Sequence, residues 1–397
     1  MWNGLHGIIL PAVIANIAPG NEKNTYLGLL TSIGLVIAVI IQPLSGALSD
    51  RWASRWGRRR PWITFGTLFD FVFLAVIGWA GGLTWIFIGY LGLQLSSNIA
   101  HGPTQGLMPD IVPQEQLAQA SGLKIFIDMG SAAAAVIVTG ILLGSKAEYS
   151  GLVMALIIGI MLVSAAITIF GSSEQSSTRP DQGRPWKEML DSFHIDFRTH
   201  PAYWWLIGQR FVFLLGVYGI QAFAQNYLRD VLNVTDPPRD TGILLGIVTI
   251  ALIVSAAAGG WLINRWGMRR VLILASVVTA IGSVLLWFGR TQGTLLLFGS
   301  ILGAGVGLFL TANWTLANKL APPDEAGKYL GLTNLATAGA GVVARAAGAL
   351  WDLFNNAAPG SWHGYMTLFC SAGVFALISI ALIGMIEPSP TKMSIPS

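Results

Sequence analysis

Apolar residues run along the whole chain in stretches of about twenty, each broken by a short polar or Gly- and Pro-containing segment. Such a stretch is long enough to cross a hydrocarbon layer about 30 Å thick. Inside that layer only a helix satisfies every backbone N–H and C=O from its own segment. The pattern predicts spans at 2–18, 25–48, 61–80, 83–106, 117–144 and 150–171. Six more follow at 202–226, 241–263, 268–288, 293–318, 326–351 and 363–386. One longer non-spanning stretch, 172–200, separates the two sets. Its first part, Ser172–Gly183, is polar and broken by Pro and Gly, the composition of a linker. Trp186, Met189, Leu190, Phe193 and Phe197 then recur at helical spacing among charges. They predict an amphipathic helix on the inner membrane face, with a solvated loop as the alternative. The expected organisation is a six-helix bundle at 1–171, a cytoplasmic linker with that helix at 172–200, a second bundle at 201–387 and a cytoplasmic tail at 388–397.

Composition agrees. Only 11% of the 397 residues are charged and 53% are hydrophobic, whereas a soluble domain carries about 25% charged residues to meet water. One cysteine, Cys370, excludes an intramolecular disulfide. No Cys or His spacing suits a metal and no nucleophile–base pair or cofactor motif is present, so neither an enzyme nor a metal or cofactor is expected. No cleavable signal is read in Met1–Ala18, which lacks a basic flank before its apolar run.

The pI of 9.3 raises nucleic acid as a partner, but the basic residues are scattered through short loops, where membrane orientation explains them. With the N-terminus in the cytoplasm, Arg51, Arg55, Arg58, Arg59 and Arg60 fall inside, as do Arg179, Arg184, Lys187 and Arg198. Arg265, Arg269, Arg270, Lys319, Lys328 and Lys392 join them, while Lys23, Lys146, Arg229, Arg239 and Arg290 fall outside. The excess inside puts both termini in the cytoplasm. The bilayer is the expected partner, a bacterial inner membrane the expected place and a monomer the expected state.

The two sets of six spans share local patterns. Gly46-Ala-Leu-Ser-Asp50-Arg51 ends the second span and Gly260-Trp-Leu-Ile-Asn264-Arg265 ends the eighth. Both continue to Trp-Gly-x-Arg-Arg, from Trp56 and from Trp266. Pro113, Gly122 and Gly130 of the fifth span match Pro322, Gly331 and Gly339 of the eleventh at one offset. Equivalent helices run in the same direction, so the expected fold is an all-α membrane protein of twelve helices in two parallel six-helix repeats. Two such halves rocking about a site at their interface is a known transporter design.

At these residues the chain resembles the major facilitator superfamily. The segment Ser49–Ile63 (SDRWASRWGRRRPWI) is an expanded form of that superfamily's loop signature. It is similar to the sucrose:proton symporter branch, within or near the glycoside–pentoside–hexuronide transporters. Asn98–Pro103 and Leu107–Asp110 resemble the same branch's fourth helix. The resemblance implies secondary active transport, with proton rather than sodium as the coupled ion and a sugar or glycoside as the solute. Two departures stand out. The branch carries an aspartate and an arginine where this chain has Gln94 and Gln105, and it has more first-helix residues than precede Trp2 here, so the first span is expected to be incomplete. On the same fold, an exporter or facilitator of an unrelated solute, or a non-transporting assembly or sensing protein, are the alternatives.

The resemblance implies a cytoplasmic latch. Asp50 would face the N-terminal end of the eleventh helix near Pro323–Ala326, Gly57 would allow the tight turn, and Arg51, Arg58 and Arg59 would supply charge, with Arg265, Gly267 and Arg269 as counterparts. Fixing topology is the plainer role for those arginines. Within the spans ionisable residues are functional by default. Lys124 and Asp128 are four apart on one helical face; Asp128 is a proton-coupling candidate, with a static ion pair as the alternative. Asp70 and His101 are further proton candidates, each with a structural hydrogen bond as its plainer reading. Arg210 and Arg345 suit sugar hydroxyls or an anionic group, or could pair with Asp70 or Asp128. Asn98, Gln221, Gln225, Asn226, Asn313, Trp314 and Asn334 complete a candidate sugar site, although interhelical hydrogen bonding uses the same residue types. Gly303, Gly305 and Gly307 lie inside the tenth span, where close helix packing explains them.

Overall fold

A computed structural model describes residues 1–19, 21–50, 52, 54–144, 150–171, 201–321 and 326–386. The predicted linker helix at 186–197 and the tail at 388–397 lie outside these residues. The first half holds α1 (Trp2–Ile17), α2 (Lys23–Asp50), α3 (Arg60–Trp79), α4 (Leu83–Ile111), α5 (Gln114–Leu143) and α6 (Ser150–Gly171). The second holds α7 (Pro201–Asp230), α8 (Pro237–Trp266), α9 (Met268–Phe288), α10 (Gln292–Leu320), α11 (Ala326–Ala346), α12 (Gly348–Ala357) and α13 (His363–Ile383). The single eleventh span expected at 326–351 is two helices that break at Ala347 and run on to Ala357.

Local chemistry sets the helix ends. Asp236 precedes two prolines and accepts the Arg239 backbone N–H at 3.2 Å, an N-cap for α8. Thr291 and Thr294 form a capping box at the start of α10. Gly267 has φ +82° and turns the chain from α8 into α9 without the Cβ clash another residue would meet there.

Eight of the described helices are individually long and apolar enough to cross a membrane. Trp2–Ile17 of α1 and the stretch Ile127–Leu143 of α5 are shorter apolar helices. The described spans are helical, as expected. The other surface is lipid-like: Ile160 of α6 is 70% exposed and Ile167 68%. Of the tenth-span glycines, Gly303 and Gly307 face α8, since a Cβ there would collide with the carbonyls of Val248 or Leu252, and Gly305 faces α9 at Thr279.

The halves meet at one end. This end, holding Gly81–Gly82, Asp230–Asp236 and Ala357–Trp362, is termed outer, after the side the basic residues assign to it. There α2 lies against α11 and α12, and α5 against α8. A Cβ on Gly242 of α8 would come 2.5 Å from the carbonyl of Val136 on α5, so only glycine permits that approach. Toward the inner end the same helices expose their faces: Ile127 is 56% and Leu123 61% exposed, and nothing lies near Gly130.

Candidate functional site

Between the halves lies a cavity of about 380 Å³. The first half contributes Asn3, His6 and Gly7 from α1 and Leu35 from α2. The second contributes Tyr218, Gln221 and Ala222 from α7, and Asn334, Thr337, Ala338, Gly341 and Arg345 from α11. The α11 residues are spaced three and four apart, which puts them on one helical face. The volume falls in the range of small-molecule sites, and its lining mixes apolar walls with a few polar groups.

Arg345 is 8% exposed, and its one hydrogen bond among the described residues runs from Nη1 to the carbonyl of Gly341 at 3.2 Å. Its guanidinium lies 5.9 Å from the Tyr218 ring centroid. Arg210 is 7% exposed and donates from Nε to Thr337 Oγ1 at 2.8 Å and from Nη1 to Asn313 Oδ1 at 2.7 Å. It also covers Trp314 at 5.9 Å. Asn313 in turn donates to Gln209 Oε1 at 3.1 Å.

A hydrogen-bond chain reaches the cavity from α4. Asn98 Nδ2 lies 3.2 Å from Gln94 Oε1, Gln94 Nε2 donates to the Tyr90 hydroxyl at 2.6 Å, and that hydroxyl meets His6 Nε2 at 2.8 Å. The Tyr90 oxygen accepts from Gln94, and the direction of its bond to His6 follows the tautomer of the imidazole. His6 sits in a π-helical turn, Leu5–Ile9, inside α1. Such turns are frequent at functional sites.

The sequence candidates thus divide. Gln221, Asn334 and Arg345 line the cavity together, and Arg210, Asn313 and Trp314 form a cluster joined to it through Thr337. Asn98 does not line it; its amide bonds Gln94. Gln225 is 1% exposed with neither amide atom hydrogen-bonded, and Asn226 donates to Asn24 Oδ1 at 2.7 Å. Asp70 is buried between α3 and α4, where Ser96 Oγ donates to it at 2.5 Å, and it does not face the cavity. Lys124 and Asp128 form a 2.5 Å ion pair, with side chains 46% and 53% exposed. Neither Asp70 nor Asp128 pairs with Arg210 or Arg345. His101 and Gln105 are exposed, with 3.4 Å between His101 Nε2 and Gln105 Nε2. Gln105 therefore meets His101 rather than Gln94.

Of the latch residues, Asp50 ends α2, Gly57 has φ +94° and Arg59 is buried. Arg265 covers Trp261 at 5.5 Å and Arg269 is exposed. Arg51 and the chain before Ala326 lie outside the described residues.

A second polar cluster, at the outer end, has no counterpart among the sequence candidates other than Asn226. Lys23 pairs with Asp230. Asn24 donates to Asp352 Oδ1 at 2.7 Å, and the Thr25 backbone N–H and hydroxyl donate to Asp352 Oδ2 at 2.7 and 2.8 Å. Tyr365 donates to Asp230 Oδ2 at 2.6 Å and receives Asn24 Nδ2 at 3.2 Å. Deeper in the seam Ser32 donates to the carbonyl of Val342 at 3.0 Å, and a Cβ on Gly28 would collide with the carbonyl of Arg345. Asn24, Gly28 and Ser32 are four apart, one face of α2.

The sequence profile of the Major Facilitator Superfamily matches residues 4–345. The chain belongs to that superfamily. It is therefore a multi-pass membrane transporter by family and not an enzyme. A sucrose transport protein of Arabidopsis thaliana is 30% identical over 98 residues, 21% of this chain and 19% of the relative, so the match spans about a fifth of that protein. An isoprimeverose transporter of Lactiplantibacillus pentosus is 22% identical over 283 residues, 66% of this chain and 56% of the relative. A multi-drug resistance efflux pump of Streptococcus pneumoniae is 22% identical over 325 residues, 79% of this chain and 76% of the relative. Among solved structures, a D-xylose-proton symporter superposes with a TM-score of 0.72 at 14% identity, covering 97% of this chain and 94% of that one. Its likeness establishes the twelve-helix fold.

Proposed function

We propose that this transporter is a proton-coupled symporter of a sugar or glycoside that works by alternating access. The observation that carries the reading is the cavity between the halves, where the amides of Asn3, Gln221 and Asn334, the His6 ring and the Arg345 guanidinium converge. Amides and guanidinium groups match hydroxyls in number and geometry. Similarity to sucrose and isoprimeverose transporters supports the same solute class. A sealed outer seam with exposed inner faces suits one end-state of a rocking cycle, open toward the cytoplasm. In the opposite state Asp50 would latch the inner end against the start of α11. Asp128 is proposed as the group that exchanges the proton on the open side, where Lys124 holds it and water reaches both. The two bundles and their linker are proposed to divide at 1–171, 172–200 and 201–387, in a monomer of the bacterial inner membrane with both termini cytoplasmic.

Uptake of labelled sugars into proteoliposomes, with and without an inward proton gradient, tests this. Accumulation that requires the gradient is expected. Equilibration without accumulation points to a facilitator, and gradient-driven loss of solute from the lumen points to an exporter like the efflux relative.

A further inference from the structure

Resting on the sugar reading above, we infer that the transported solute is an anion: a hydroxylated molecule whose carboxylate or phosphate is held by Arg345. The argument is one of charge. Arg345 lines the cavity and is more than nine-tenths buried, yet it spends one of its five N–H donors, on a carbonyl of its own helix. Arg210 is buried two helical turns toward the inner end, through its bond to Thr337, another cavity residue. Among the described residues no carboxylate lies within ion-pair distance of either guanidinium.

Four described acids are committed elsewhere. Asp70 is held by Ser96, Asp128 by Lys124, Asp230 by Lys23 and Tyr365, and Asp352 by Asn24 and Thr25. The centre of the molecule therefore holds two buried cations and no described anion. A buried charge without a counter-charge is strongly unfavourable, and good pairing geometry is what offsets it. A neutral sugar offers hydroxyl acceptors but leaves the charge in place. An oxyanion supplies the charge and accepts two parallel N–H bonds from the guanidinium fork. Asn3, His6, Gln221 and Asn334 are left for its hydroxyls.

The test uses the purified full-length protein and four probes in a thermal-shift titration: methyl glucoside, methyl glucuronide, glucose 6-phosphate and lactate. The wild type is expected to bind the glucuronide or the sugar phosphate at least tenfold more tightly than the glucoside, a difference of about 1.4 kcal/mol. Which of the two binds identifies the oxyanion. Arg345→Gln is expected to erase the preference, bringing the acidic probe down to the affinity of the glucoside in the same variant. Arg345→Lys, which keeps the charge and loses the fork, is expected to weaken the acidic probe more than the glucoside and so narrow the preference without erasing it, so the test survives misfolding of the first variant. Equal binding of glucoside and acidic sugars overturns the anion and leaves the sugar reading standing, as does a preference that persists in Arg345→Gln. Lactate binding as tightly as the acidic sugars upholds the anion and sinks the sugar. Failure of all four probes to shift the melting temperature overturns both.

Discussion

Asp352 of α12 accepts both the backbone N–H and the hydroxyl of Thr25, at 2.7 and 2.8 Å, across the interface between the halves. Thr25 lies in the first turn of α2, so the carboxylate also meets the positive end of that helix. The contact has the chemistry proposed for Asp50 at the inner end, with the roles of the two helices exchanged. Asp352→Ala is expected to weaken outer closure by about 2 kcal/mol, roughly a thirtyfold shift toward the outward-open state. The rate at which an impermeant maleimide labels Ser32→Cys, in a background lacking Cys370, measures it. An unchanged rate removes Asp352 from the latch.

Gly28→Val places a side chain where the carbonyl of Arg345 now sits. The outer seam is then unable to shut, and uptake is expected to fall below about a tenth of wild type because a carbonyl on helical backbone has little room to yield. Folded protein at normal levels with fast labelling at position 32 is the accompanying result. Normal transport shows that the seam need not close this tightly.

Asp128→Asn breaks an exposed ion pair, so its effect on stability is expected to stay below about 1 kcal/mol. Its effect on coupling is expected to be large: gradient-driven accumulation is lost while solute exchange at equal concentrations persists. Accumulation that still follows the pH gradient returns Asp128 to a purely structural role.

For Asp70 the expectation is reversed. Asp70→Asn keeps an acceptor for the Ser96 hydroxyl and leaves coupled uptake near wild type. Asp70→Leu leaves that buried hydroxyl the more distant Leu93 carbonyl at 3.4 Å and lowers stability by about 1 kcal/mol, read as a fall in melting temperature. Loss of coupling in Asp70→Asn with stability intact makes Asp70 a proton carrier after all.

The helices were legible because lipid imposes one rule on every residue of a span, and a run of twenty apolar residues expresses it locally. The eighth span ran further than its apolar run, from Pro237 to Trp266 rather than 241–263, because caps and turns rather than hydropathy set its ends. The cavity was legible in part: Gln221, Asn334 and Arg345 stand out as polar residues amid apolar neighbours. His6 was passed over because α1 was read as a short span, though Trp2 and His6 share a helical face. The outer cluster was not legible at all. Lys23, Asn24, Asp230 and Asp352 each read alone as ordinary polar helix ends, and their partners lie about 200 to 340 positions away in the chain. Only the packing of α2 on α12, and of α13 on α12 and α7, brings them together.

Arg345 occupies the seam and the cavity at once. Its carbonyl abuts Gly28 in the closed interface, its guanidinium points among the solute-facing groups, and the helix breaks two residues later at Ala347. A tug on the side chain is therefore a tug on the gasket. No relay of intermediate residues has to carry news of occupancy to the outer door, because the proposed solute contact and the sealing edge are one amino acid.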